Sequence, residues 1–143
     1  LHVLNITGEN IKLALERTAE FFSLSEDGRC LVTTKIYDYD IWSGIHYVID
    51  IARPVGDRIV SLTYNGEDIK TKDRIKVAFY HFRAGGALGY DMLKCHRPVW
   101  RSVQTVREHL FKYLKTNELL KVPIENNFRI ENNGKLVENA FLE

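Results

Sequence analysis

No apolar run in the chain approaches the ~18 residues a bilayer-spanning helix needs, so no stretch reads as a membrane span. Charge of either sign is not in excess. Twenty Lys and Arg against 19 Asp and Glu leave a formal net charge of +1, which gives no electrostatic reason to expect a nucleic-acid polymer or a membrane surface as partner. Cysteine is scarce: Cys30 and Cys95 stand alone, with no Cys-x-x-Cys pair and no His-Glu-x-x-His. They read as core or free thiols, with a single bridge between them left open. The five histidines (His2, His46, His81, His96, His109) are scattered, and the adjacency of Cys95 and His96 does not make a metal site. There is no Gly-x-Ser-x-Gly elbow and no phosphate-binding P-loop. No signal peptide is present, but the chain begins at Leu1 rather than Met, so the start is expected to be trimmed and the compartment is left open. Neither an internal repeat nor a low-complexity linker breaks the chain.

What is present is an ordinary globular composition. At 143 residues, 45% apolar and 27% charged, the chain is long enough for one domain with a respectable core. Leu1–Ile6 reads as a strand entering a helix in which Ile11, Leu15, Thr18, Ala19 and Phe22 share a face, with Thr7 as a suitable N-cap. Leu31–Tyr37, His46–Ala52, Arg58–Tyr64 and Ile75–Phe82 are strand-like, and Asn65-Gly66 is a hairpin signal. Ser102 can cap a second helix with Val103, Val106, Leu110, Tyr113 and Leu114 on its apolar face. A short strand is expected around Phe128–Ile130, then a turn at Asn132-Asn133-Gly134 and a fraying end. Strands with separated helices predict an α+β domain whose sheet is mixed and largely antiparallel.

One segment carries more chemistry than the rest: Val77-Ala78-Phe79-Tyr80-His81-Phe82-Arg83-Ala84-Gly85-Gly86-Ala87-Leu88-Gly89-Tyr90. An apolar, aromatic run ends in Phe82-Arg83, and three glycines follow within five residues. Glycine opens backbone angles closed to other residues and lets a ligand approach the main chain. A ring and a guanidinium at such a loop suit a flat, polar ligand such as a nucleobase; a plain glycine-rich turn is the other reading. Asp38, Asp40 and Asp50 are carboxylates in search of a geometry, and solvated loop carboxylates are their default. Among Arg53, Arg58 and Arg83, each able to meet a phosphate or base edge, only Arg83 lies beside an aromatic and a glycine loop. These residues describe a binding site without a reaction centre.

The order of segments resembles the C-terminal domain of the 5′-nucleotidase family, closest to the bacterial 2′,3′-cyclic-nucleotide 2′-phosphodiesterase/3′-nucleotidases. The resemblance is carried by Leu1-His2-Val3-Leu4-Asn5-Ile6-Thr7-Gly8, by Tyr39-Asp40-Ile41-Trp42-Ser43-Gly44-Ile45-His46-Tyr47, and by Arg53-Pro54-Val55-Gly56-Asp57-Arg58-Ile59. Leu62-Thr63-Tyr64-Asn65-Gly66, Phe82-Arg83-Ala84-Gly85-Gly86, Gln104-Thr105-Val106-Arg107-Glu108 and Asn126-Asn127-Phe128-Arg129-Ile130 continue it. It covers residues 1–131, leaving 132–143 as a C-terminal tail.

The resemblance implies a division of labour. A separate N-terminal metallophosphoesterase domain carries two divalent metal ions and the catalytic pair, and this domain grips base and ribose. It holds no catalytic residue, metal or cofactor of its own, and the fragment alone is expected to be inactive. Phe82 maps onto one of two rings that clamp the base; the other ring and the phosphate-holding arginines map upstream of Leu1. Arg83, Gly85, Gly86, and Asp40 and Trp42 in the loop to Gly44 are the further substrate-binding candidates. The chain departs from the family loop where Gly85 replaces a Ser, Ala87 a Gly, and Leu88 an Asp or a further Gly. The implied substrate is a nucleotide or nucleoside, and the implied location is extracellular, cell-wall or periplasmic. Two other classes stand beside this one. The first is a nucleoside-binding module without catalysis. The second is a structural or interaction domain in which Phe82, Tyr80 and Trp42 are core or interface rings.

Overall fold

The computed structural model describes residues 1–32, 36–116 and 124–142. In chain order its elements are β1 (His2–Thr7), α1 (Gly8–Ala19), β2 (Phe22–Leu24), β3 (Cys30–Val32), β4 (His46–Asp50), β5 (Ile59–Tyr64) and β6 (Glu67–Asp68). Then come β7 (Arg74–Phe79), α2 (His81–Ala84), β8 (Trp100–Arg101), α3 (Val106–Thr116), β9 (Phe128–Asn132), β10 (Lys135–Leu136) and β11 (Phe141–Leu142). Short 3-10 turns cover Ile36–Asp38, Ala87–Gly89 and Asp91–Leu93. The described pairings are antiparallel except β9 on β4 and β11 on β3, so the fold is α+β with mixed, largely antiparallel sheets.

The chain divides into two compact units. The first comprises Leu1–Thr7 and Arg74–Glu125. Its sheet has the order β7-β1-β8. β1 and β7 pair over six residues, from His2 opposite Phe79 to Thr7 opposite Arg74. Alternation sends Leu4 and Ile6 into the core at 0% exposure, and their partners Val77 and Ile75 share that face. β7 stops at Phe79, so the expected strand to Phe82 is three residues too long. Tyr80 turns the chain and Phe82 stands in a helical turn instead.

α3 also corrects its expectation. Its cap is Thr105, not Ser102: Glu108 N–H donates to Thr105 Oγ1 (3.2 Å), while Glu108 Oε2 accepts from Thr105 N–H (2.6 Å) and Oγ1 (2.8 Å). This reciprocal box satisfies amides that a helix start leaves open. Ser102 is occupied with Gln104 and with the His109 ring at 2.6 Å. No residue of α3 is buried, so the apolar face of Leu110, Tyr113 and Leu114 faces outward.

The second unit comprises Gly8–Asp73 and Asn126–Glu143. Its sheets are β10-β9-β4-β5-β6 and β11-β3-β2. α1 buries Ile11, Leu15, Thr18 and Ala19 as its spacing predicts, with Ala14 beside them, but ends at Ala19, and Phe22 belongs to β2. Its first amides, Gly8 N–H and Glu9 N–H, donate to the carbonyls of Asp73 (2.9 Å) and Thr71 (3.1 Å). Only glycine permits that approach: a Cβ on Gly8 would lie 2.2 Å from the Lys70 carbonyl oxygen.

Further along the helix the carboxylate of Glu16 accepts from the amides of Arg58 and Ile59, both at 2.8 Å. The Arg58 guanidinium donates to the carbonyls of Ala19 (2.8 Å), Phe22 (2.7 Å) and Arg53 (3.1 Å). Both side chains are buried. Strand character in the expected Leu31–Tyr37 run is limited to Cys30–Val32; 33–35 lie outside the described residues, and Ile36–Asp38 form a 3-10 turn. The tail carries paired strands, with β10 on β9 and β11 on β3. Cys30 is buried, Cys95 exposed, and both are free thiols.

Candidate functional site

The turn that follows β7 is built by its own backbone. Ala84 N–H donates to the Tyr80 carbonyl (3.0 Å), Gly85 N–H to His81 (3.0 Å) and Gly86 N–H to Arg83 (2.8 Å). One turn of helix sorts its side chains by face. Arg83 and Ala84 go inward, at 8% and 6% exposure, while Phe82 stays 49% exposed. The Arg83 guanidinium lies 4.6 Å from the centroid of the Tyr90 ring, itself 1% exposed. A cation over a desolvated ring face contributes about 2 kcal/mol, so Arg83 anchors the turn from inside. Phe82 is thus presented on a fixed platform.

The glycines after it differ in role. Gly85 has φ −80°, an ordinary angle, and a Cβ there would make normal contacts at 3.4 and 3.5 Å. Gly86 has φ +83°, and a Cβ would lie 2.8 Å from Lys94 Cγ and 3.3 Å from the Tyr90 carbonyl oxygen. Two residues on, Leu88 itself takes φ +56°. L-residues reach that left-handed region at a cost of about 1–2 kcal/mol. Tyr80 (52% exposed) meets the His81 ring at 4.4 Å between centroids, 61° apart.

A set of residues that the sequence reading passed over lies on the same unit. His2 is paired across the sheet with Phe79 on one side and Arg101 on the other. Its pKa is held below the ordinary value first by desolvation, then by Arg101, the amino group of Leu1 and His81. Strand register, which spacing along the chain does not reveal, is the signal that groups them.

Asp40 and Trp42 belong to the second unit. Trp42 is buried at 8% exposure. Its carbonyl accepts from Asn127 Nδ2 (2.6 Å), which also donates to the Ile45 carbonyl (2.8 Å), while Tyr47 N–H donates to the Asn127 backbone carbonyl (3.0 Å). Tyr47 in turn stacks on Phe128 at 5.3 Å and 12°. Nearby, Tyr39 packs on Phe21 (5.0 Å) and Phe22 (5.4 Å), and burial, with a smaller contribution from Tyr47, pushes its hydroxyl pKa up. The Trp42 ring is therefore a core group of this loop, and Asp40 is half-buried beside it in sequence. The structure brings Phe82, Arg83, Gly85 and Gly86 together in one turn and uses Trp42 for packing.

Among the described residues no three His, Cys, Asp or Glu side chains converge to hold a metal ion.

Comparison with known proteins identifies the class of domain. Residues 1–95 match the model of the family described as 5′-nucleotidase, C-terminal domain. The chain belongs to that family. It is 23% identical over 148 residues to the trifunctional nucleotide phosphoesterase protein YfkN of Bacillus subtilis (strain 168), a match spanning 91% of this chain and 10% of that protein. A candidate 5′-nucleotidase of Staphylococcus aureus, solved with α-ketoglutarate, superposes with a TM-score of 0.83 at 28% identity, covering 92% of this chain and 27% of that one. A 5′-nucleotidase precursor from Thermus thermophilus shares the fold at TM-score 0.69 and 21% identity, over 91% of this chain and 25% of that one. The chain thus spans about a tenth of the curated relative and about a quarter of these solved structures. No helix among the described residues is long and apolar enough to cross a membrane.

Proposed function

We propose that this chain is the substrate-gripping domain of a metal-dependent nucleotide phosphohydrolase, of the 5′-nucleotidase or 2′,3′-cyclic phosphodiesterase/3′-nucleotidase type. The base of a nucleotide or nucleoside stacks on Phe82. An N-terminal metallophosphoesterase domain of the longer polypeptide supplies two divalent metal ions and the reaction, and the whole serves nucleotide catabolism outside the cytoplasmic membrane. The observation that carries this reading is the half-exposed Phe82 ring on a turn locked by three backbone hydrogen bonds and the buried Arg83–Tyr90 pair. An exposed ring on a rigid scaffold loses little entropy when a base settles on it. Family membership and the nucleotide phosphoesterase among its relatives support the substrate class.

Base–aromatic stacking contributes about 1–3 kcal/mol by alanine substitution. Calorimetric titration of the chain with adenosine and with other nucleosides should therefore show affinity falling by roughly five- to more than a hundred-fold in Phe82→Ala and surviving in Phe82→Tyr. Equal affinity in wild type and Phe82→Ala would remove Phe82 from the site. Leu88 favours a second reading, a nucleoside-binding module without catalysis, because a leucine accepts no hydrogen bond from ribose. Phosphate release from nucleotides by the longer polypeptide separates the two.

A further inference from the structure

We infer that the cleft between α1 and the β5–β6 hairpin is a binding site for a short aliphatic diamine, a ligand with an ammonium group at each end and an apolar chain between them. The cleft lies wholly within the second unit and has a volume of about 550 Å³. That is inside the range of about 300–1,000 Å³ usual for small-molecule pockets. Its helix wall is held at both ends. Gly8 and Glu9 N–H donate to the Asp73 and Thr71 carbonyls, at 2.9 and 3.1 Å, and the Glu16 carboxylate accepts from the Arg58 and Ile59 amides at 2.8 Å. Lys12 and Leu13 line the cleft between these anchors. Walls fixed in this way need little ordering when a ligand enters.

The floor of the cleft carries a negative charge with no cation bonded to it. Glu16 lines the cleft and is 5% exposed. Each of its oxygens accepts one backbone amide, and a carboxylate offers about four acceptor positions, so acceptor capacity is left over. Among the described residues no cationic side chain is bonded to it, and the neighbouring Arg58 guanidinium donates to three backbone carbonyls instead. A buried carboxylate in that state favours a ligand that brings the cation. The mouth has the same sign. Glu9 and Asp68 line it and are exposed, while Lys12, the one cation among the lining residues, lies 4.0 Å from the Asp57 carboxylate. Leu13 (46% exposed), Val60 (42% exposed), Leu62 and Ile69 supply apolar contact along the walls. Glu9 and Glu16 are seven residues apart on α1, about 10 Å along its axis. Two ammonium groups on one short chain suit that span better than a single charge does.

Titration of the full chain with cadaverine, pentylamine and pentanol tests this, because the three share a chain length and carry two, one and no ammonium groups. The Arg58 and Ile59 amide protons, which bond to Glu16, are the NMR reporters, with calorimetry for affinity. The expected result is that cadaverine shifts both signals saturably, pentylamine does so more weakly, and pentanol leaves them in place. Leu13→Lys sets a competing cation on an exposed helix position, so it should keep the wild-type melt and weaken cadaverine about tenfold or more. Asp68→Asn should weaken cadaverine about two- to fivefold, the size of an exposed ion pair, and leave pentylamine unchanged. The inference is overturned if cadaverine moves neither signal, if pentanol moves them as far, or if Leu13→Lys binds cadaverine as wild type does. A cadaverine-to-pentylamine ratio unaltered by Asp68→Asn overturns the two-ended arrangement. None of these outcomes bears on Phe82, which belongs to the other unit and keeps its own test.

Discussion

Removal of the Glu16 carboxylate should be among the most damaging single changes in the second unit. Glu16 is 5% exposed, and its two oxygens accept one backbone amide each, Arg58 and Ile59, at 2.8 Å. In Glu16→Ala both amides lose their acceptor where water has little access. A buried donor left unsatisfied costs about 1–3 kcal/mol, so the pair alone predicts roughly 2–6 kcal/mol. The nearby Arg58 guanidinium, 7% exposed, also loses the negative charge that opposes the lowering of its pKa by burial. Breaking a buried charge arrangement by deleting one member costs about 3–5 kcal/mol, which agrees with the amide estimate. Because a domain holds only about 5–15 kcal/mol in total, Glu16→Ala should leave the unit partly unfolded at moderate urea.

Glu16→Gln keeps one acceptor but turns an NH2 toward the second amide, so it should fall between wild type and Ala. The assay is urea unfolding combined with hydrogen exchange at the Arg58 and Ile59 amides. In Glu16→Ala these two protons should exchange far faster under conditions where the β4–β5 ladder remains protected. An unfolding free energy within about 0.5 kcal/mol of wild type, the range of an ordinary surface change, would refute the argument. So would unchanged protection of those two amides.

The two glycines of the Phe82 turn should respond oppositely to alanine. Gly86→Ala forces a left-handed angle on a residue with a Cβ and drives it to 2.8 Å from Lys94 Cγ, so it should lower stability by about 1–3 kcal/mol and weaken any ligand that uses the turn. Gly85→Ala should be neutral or stabilising by up to about 1 kcal/mol, because the native angle suits alanine and the unfolded chain loses freedom; thermal melts of both variants give the comparison. At the start of α3, hydrogen bonds from the Thr105 amide and hydroxyl hold the Glu108 carboxyl below its ordinary value of 4.5. A carboxylate with a depressed folded pKa contributes stability above its unfolded value and loses it as pH falls through the folded one. Helical circular dichroism should therefore weaken on acidification below about pH 4.5, and Glu108→Gln should remove that part of the pH dependence.

The legible parts of the chain are those fixed by local period and turn chemistry. The α1 stripe, the β4 and β5 strands and the Asn65-Gly66 hairpin each follow from spacing within about ten residues, and each is where its pattern placed it. Errors arise where a competing partner, near or far along the chain, decides the outcome. The run to Phe82 is apolar enough to continue as strand, but the Tyr80 carbonyl is taken by Ala84 N–H and the chain coils instead. Ser102 has the right chemistry for a cap, and Thr105 wins because Glu108 stands three residues after it and closes the box. Trp42 is a substrate-binding candidate through the resemblance of its loop; the Asn127 side chain, 85 residues away, bonds that loop and the ring is buried, neither of which the local sequence displays. The His2–Arg101 pairing is invisible for the same reason, since no local pattern encodes which strand lies opposite which.

Leu88 shows how resemblance and geometry constrain one position from two sides. The family loop has an aspartate or a glycine there, and this chain has a leucine that nevertheless keeps φ +56°. Holding a leucine at that left-handed angle costs about 1–2 kcal/mol. The side chain, 41% exposed, has no group that can bond a ribose hydroxyl. On the reading proposed above, recognition on this turn draws on what surrounds the loop. The Phe82 ring, 49% exposed, is what the turn has to offer a flat ligand. On that same reading, such a turn discriminates by the presence of a flat ring more than by the sugar attached to it. That expectation follows from Phe82 and Leu88 together, independently of which base the ligand carries.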